Sequence, residues 1–155
     1  MKKIIFLDID GTLNRWCFTK EKIPGHAAIG LDPENFACFL NMLEKTDAKI
    51  VLCSVWRQYE SHRNFFKDSL GPRFQDRLIG FTHRIYSYDG KSNDCRHKEI
   101  ELWLKENPDT THWVVLDDDG YVVNSDIGKG IKPFIRSLEG FNEEHVPEVL
   151  SFLTD

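Results

Sequence analysis

At 155 residues, with 41% hydrophobic and 29% charged side chains, the sequence has the length and composition of a single soluble globular domain (1–155) able to bury a real core. A net charge of −5 argues against a generally basic nucleic-acid binder, and apolar runs of only a few residues exclude a membrane-spanning segment. "MKKIIFL" opens like a signal peptide, but the apolar run stops at Asp8, so a cytoplasmic location is expected.

Residues 3–8 read as a buried strand, and "AKIVLCS" (48–54) and "HWVVLD" (112–117) as two more; each is a short apolar run rich in β-branched residues. Helices are expected between them. "DPENFACFLNMLEKT" (32–46) opens with Asp32 as N-cap and Pro33 in the first turn, and Phe36, Phe39, Leu40 and Leu43 follow helical spacing. "RQYESHRNFFKDSLG" (57–71) predicts a second helix ending near Gly71. "RHKEIELWLKENP" (96–108) predicts a third, with Ile100, Trp103 and Leu104 inward. A last helix near 143–153 groups Val146, Val149, Leu150 and Leu153, and Pro147 can shorten its start. Alternating strands and helices imply βαβ units: a doubly wound, mostly parallel, Rossmann-like α/β sheet covered on both faces. Ligands bind such sheets at the carboxyl ends of the strands, and those ends carry Asp8 and Asp10, Ser54, and Asp117 to Asp119.

Buried strands seldom end in unpaired carboxylates, because burying such charge is costly without a partner. Acids from several strands on one edge repel one another unless a cation joins them, and hard oxygen ligands suit Mg²⁺ together with a substrate phosphate. One carboxylate could then attack phosphorus, a second acid two positions on could protonate the leaving oxygen, and Ser54 with a cation could hold the transferring oxygens. A turn at Asp10-Gly11 would account for Asp10 but not for Asp8.

The remaining candidates are weaker. Cys17, Cys38, Cys53 and Cys95 are widely spaced without a CxxC pair, which fits a reduced intracellular protein. The cysteine-phosphatase loop needs an arginine after five intervening residues, and Tyr59 stands there, so Cys53 reads as core filler. Six histidines lack metal-ligand spacing; Cys95 and His97 could point one way, but a hard oxygen site explains the chain better. From Arg57 to Lys98, nine basic residues face five acids, so this stretch carries +4 and the rest −9. Such a stretch is either a solvated face or a phosphate-facing surface. Trp56 reads as packing rather than as a base-stacking platform.

"DIDGTL" (8–13) resembles the first motif of the haloacid dehalogenase (HAD) superfamily of phosphohydrolases. Ser54, a cationic residue near 91–98 and "VVLDDD" (114–119) follow in the family's order. More narrowly, "FLDIDGTLN", "VLCSVWR", "GFTHR", "RHKEIELWL" and "WVVLDDD" resemble the uncapped HAD domains associated with RNA-repair proteins. The phosphatase domain of phage polynucleotide kinase/phosphatase is a more distant likeness. The resemblance implies that Asp8 is the nucleophile and a Mg²⁺ ligand. It makes Asp10 the general acid/base, offering its backbone carbonyl to the metal, and Ser54 a phosphoryl contact. Asp117 and Asp118 are both candidates to complete the metal shell, and Asp119 lies outside it. Arg96 fits the "RxxEI" pattern as the phosphate-binding cation, Lys91 fits the lysine of the wider superfamily, and Lys98 comes third. Thr12, Arg57 and Lys91 are candidate substrate contacts.

Many relatives carry a cap domain that closes the site over small molecules. Only about 45 residues separate Asp8 from Ser54, so residues roughly 14–31 suit a flap, and between Ser54 and Arg96 there is room for a helix, a strand and a loop. An uncapped site is open to a phosphate on a polymer end. The expected activity is a Mg²⁺-dependent phosphomonoesterase working through an aspartyl-phosphate, on nucleic-acid ends or nucleotides. The alternatives are a mononucleotide or sugar-phosphate phosphatase, and a catalytically silent phosphate-binding module. A signalling receiver would carry its phosphorylated Asp where Ser54 stands.

Overall fold

The computed structural model describes residues 2–15, 30–85, 95–124 and 134–154. Four parallel strands form one sheet in the order β3-β2-β1-β4: β1 (Lys2–Leu7), β2 (Lys49–Leu52), β3 (Leu78–Phe81) and β4 (Thr110–Leu116). The helices are α1 (Pro33–Leu43), α2 (Glu60–Phe74), α3 (Arg96–Glu106), α4 (Gly120–Val123) and α5 (Val146–Leu153). This is the expected doubly wound α/β sheet, with no cap domain among the described residues.

Strand alternation assigns the two faces. Ile5, Leu7, Ile50, Leu52, Val114 and Leu116 point to one side, where they meet Phe39, Met42 and Leu43 of α1, Phe66 and Leu70 of α2, and Val149 and Leu153 of α5. Ile4, Phe6, Val51 and Val115 point to the other, against Ile100 and Trp103 of α3 and Val122 and Val123 of α4. Phe6 is fully buried and meets Trp103 edge-to-face at 5.3 Å between centroids. Truncating so buried a ring would cost about 3–5 kcal/mol.

The apolar helix stripes fall where their spacing places them. Phe39 and Leu43 are fully buried, with Phe36 and Leu40 packed at the margin. Asp32 caps α1, its carboxylate accepting the Glu34 N–H at 3.0 Å. Pro147 lies in the first turn of α5, which begins at Val146 rather than near 143. The second helix departs more from expectation. Residues Val55–Gln58 form a 3₁₀ turn, Tyr59 is extended, and α2 starts only at Glu60. It then runs on to Phe74 past Gly71, whose φ of 67° breaks the helical path before Pro72. β3 is an edge strand with alternate residues exposed and Gly80 among its apolar residues, a weaker strand signal than β1, β2 and β4 carry. No described helix is long and apolar enough to cross a membrane.

Register brings the strand ends level. Leu7 pairs with Leu52 on one side and Leu116 on the other, so Asp8, Cys53 and Asp117 emerge side by side. The ladder continues one step, with Asp8 N–H donating to Leu116 O at 2.8 Å and Cys53 N–H to Leu7 O at 3.0 Å.

Candidate active site at the carboxyl edge of the sheet

Beyond Leu7 the chain turns tightly. Leu13 N–H donates to Ile9 O at 2.8 Å, and Gly11 N–H reaches Asn14 O at 3.0 Å. Gly11 adopts a φ of 82°, and a Cβ there would meet the Asp118 carboxylate well inside van der Waals contact. Glycine is therefore needed twice, for the left-handed backbone and for the close approach of Asp118. Phe141 N–H donates to Thr12 O at 2.7 Å, anchoring the turn to the chain before α5.

One carboxylate oxygen from each of Asp8, Asp117 and Asp118 lies within 4.8 Å of the others. Arg96, at the start of α3, donates to Asp117 Oδ2 at 2.6 Å and lies 3.4 Å from Asp8 Oδ1. Asp117 Oδ1 accepts the Asp119 N–H at 2.9 Å, which occupies Asp119 through its backbone. Three carboxylates against one guanidinium leave two negative charges to balance, and the carboxyls respond. Burial pushes Asp8 up to about 8, with Asp117, Asp118 and Asp10 adding to the rise and Arg96 opposing it. Burial likewise raises Asp117 against Arg96, and lifts Asp118 to about 6, helped by Asp117. Burial alone would lower Arg96, but Asp8 and Asp117 hold it well above its ordinary value. Clustered hard oxygen donors with excess negative charge fit a divalent cation such as Mg²⁺.

The Asp10 carboxylate is not in that group. Its Oδ1 accepts from Asn14 Nδ2 at 2.9 Å, and Trp56 Nε1 lies 3.2 and 3.1 Å from its two oxygens. The Asp10 carboxylate thus stands beside the three-acid group rather than in it, held by two donors.

Over residues 4–146 the sequence matches the family described as the HAD domain in Swiss Army Knife RNA repair proteins. The chain belongs to that family. Searches of curated proteins and of solved structures returned no match.

Within this HAD domain, the site residues fall into distinct places. Ser54 is fully buried, and its Oγ accepts the Trp56 N–H at 3.3 Å as the cap of the 3₁₀ turn, leaving the hydroxyl proton for another acceptor. Thr12 Oγ1 is buried and makes no hydrogen bond among the described residues. Lys98 is exposed, and Lys91 lies outside the described residues. Arg57 is placed elsewhere than the expected phosphate contact. It is 6% exposed, pairs with Glu99 at 2.6 Å, and donates to the carbonyls of Cys53 and Ser54. A buried guanidinium requires a carboxylate partner, and Glu99 supplies it while also accepting the Ile85 N–H at 2.9 Å. Cys53 lies in the core, where burial raises its thiol well above the ordinary range. Cys38, Cys53 and Cys95 are free thiols; Cys17 lies outside the described residues.

Sequence reasoning missed three residues of this HAD site. Asn14 and the Trp56 N–H hold Asp10, and Glu99 fastens α3, the helix that carries Arg96, to the turn after β2. "SVWR" and "RxxEI" carried the signal for the last, since a buried Arg and a helix-face Glu in one protein invite pairing. A cavity of about 910 Å³ lies apart from the cluster, between α1 and residues 134–145.

Proposed function

We propose that this HAD domain is a Mg²⁺-dependent phosphomonoesterase that works through a phospho-Asp8 intermediate on nucleic-acid ends or nucleotides. The observation that carries the reading is the convergence of Asp8, Asp117 and Asp118 within 4.8 Å beside Arg96, with Asp10 held separately by Trp56. Membership of a family named for RNA repair supports the nucleic-acid substrate.

The steps follow from the residues. An Asp8 carboxylate oxygen forms a bond to phosphorus while the bond to the leaving oxygen breaks, and Asp10 gives that oxygen its proton. Asp10, now ionised, takes a proton from water; the water oxygen bonds to phosphorus, and Asp8 departs as a carboxylate. Mg²⁺, when bound to Asp8 and Asp117 or Asp118, would keep Asp8 ionised and offset the charge of the phosphoryl oxygens. Arg96 orders the carboxylates and can turn to a phosphoryl oxygen, and the Ser54 hydroxyl and Thr12 Oγ1 are available donors.

The test is phosphate release with and without Mg²⁺ from 3′- and 5′-phosphorylated oligonucleotides, mononucleotides, sugar phosphates, a phosphopeptide and an aryl phosphate. Metal-dependent release abolished by Asp8→Asn is the expected result, and the preferred member names the substrate. Retained turnover in Asp8→Asn would overturn the covalent mechanism. Binding of phosphorylated ligand without release would replace the enzyme by a silent phosphate-binding module.

A further inference from the structure

Resting on that reading, we propose that the rings of Tyr59, His62 and Phe65, the first and last exposed and His62 half-buried, form a stacking platform for the nucleobase adjacent to the scissile phosphate of a single-stranded nucleic-acid end. A general acid must face the leaving oxygen, so the leaving group departs past Asp10 and beside Trp56, whose indole N–H holds it. From Trp56 a series of rings leads outward. His62 meets it edge-to-face at 5.3 Å, Phe65 lies 6.1 Å away, and Tyr59 lies 5.0 Å from His62 at 39°.

Exposure grows along this series. Trp56 is 2% exposed, Phe65 38% and Tyr59 56%. Single exposed apolar residues are ordinary on a protein surface, but rings in mutual contact that start at the leaving-group acid are not scattered. The neighbouring charge suits a polyanion. Arg63 lies one turn beyond Tyr59, its N–H donating to Tyr59 O at 3.1 Å, and its guanidinium covers the exposed Phe81 ring at 5.1 Å. Aromatic faces with interleaved cations are how proteins hold single strands without reading sequence. The stretched Tyr59 backbone, which separates the 3₁₀ turn from α2, is what turns its ring out of the core.

Two measurements test this. The first compares kcat/KM for phosphorylated oligonucleotides ending in a normal nucleotide with the same oligonucleotides ending in an abasic one. Tyr59→Ala and Phe65→Ala are expected to cut the preference for the base-bearing end about tenfold, about 1.4 kcal/mol, and Tyr59→Phe to restore it. Leu102→Ala, on the opposite face of the sheet, should leave the preference intact. An unchanged preference in both alanine variants overturns the platform, as does equal loss on both substrates. The second places 2-aminopurine at the terminal position and reads its fluorescence on binding. Quenching by wild type that both alanine variants lose supports the platform even if no phosphate is released, whereas unquenched binding overturns it. Absence of turnover on every substrate overturns the phosphatase reading separately.

Discussion

The indole N–H of Trp56 lies across both carboxylate oxygens of Asp10, 3.2 Å from Oδ1 and 3.1 Å from Oδ2, although 46 positions separate the two residues. Trp56 is buried in the core under α2, so its N–H is aimed by packing rather than by chance. Asn14 supplies a second donor from the turn itself. A carboxylate so held has a fixed direction, which the proposed proton delivery requires.

Trp56→Phe keeps an aromatic ring in the core and deletes that donor. The expected result is a fall in kcat of about tenfold, a fraction of the roughly 10²–10⁴-fold that a positioned acid–base group contributes, with KM changed less than about twofold. Steady-state kinetics on the preferred substrate checks it. A KM effect without a kcat effect would mean that Trp56 serves binding alone.

The Arg57–Glu99 pair is buried on both sides, at 6% and 3% exposure, and joins the turn after β2 to α3. Glu99→Gln leaves a buried guanidinium short of its counter-charge and should destabilise the fold by about 3–5 kcal/mol. Arg57→Met with Glu99→Leu removes both charges and should recover most of that loss. Chemical denaturation of the three proteins decides, and a double variant no more stable than Glu99→Gln would refute the pairing argument.

Stability should depend on pH in a direction opposite to ordinary acid denaturation. The folded chain holds Asp8 near 8 instead of its ordinary 3.8, and Asp118 near 6. Between those values the native state keeps protons that the unfolded chain has released, so metal-free stability is greatest below about pH 4 for these groups and falls as pH rises toward 8. Mg²⁺ held by the ionised carboxylates, as proposed, should reverse the loss. Thermal melts are expected to show a Mg²⁺-induced rise of several degrees at pH 8 and less than about 1 °C at pH 5. Equal shifts at both pH values would argue against metal binding at these carboxylates.

Gly11→Ala tests the close approach of Asp118. The new Cβ needs the space that the carboxylate occupies, and the φ of 82° is strained for alanine. Destabilisation of about 1–3 kcal/mol is expected, and Mg²⁺ affinity by calorimetry should fall by about tenfold or more. Normal Mg²⁺ affinity in a folded variant would exclude Asp118 from the metal shell.

What could be read along the chain was what covalent adjacency dictates. Asp8 and Asp10 flank one residue at the end of an apolar strand, and Asp117 follows another such strand, so their meeting at one sheet edge follows from parallel βαβ winding. Helix stripes such as Phe39 and Leu43, or Val146, Val149 and Leu153, are legible for the same reason: their partners on a face are three or four residues away. β3 was expected between Ser54 and Arg96 but without bounds, because Gly80 interrupts its apolar residues and one of its faces lies in solvent, and the start of α2 escaped because Ser54 caps a 3₁₀ turn first. Side-chain partnerships across the fold were decided by tertiary structure alone. Arg57 turns inward to Glu99 instead of outward to a phosphate, Trp56 reaches Asp10, and Arg96 settles between Asp8 and Asp117. Each choice is made by which groups share a buried, low-dielectric space, where an unpaired charge or N–H is too costly to leave. Sequence spacing carries no record of that space; only the register of the strands and the packing of the helices create it.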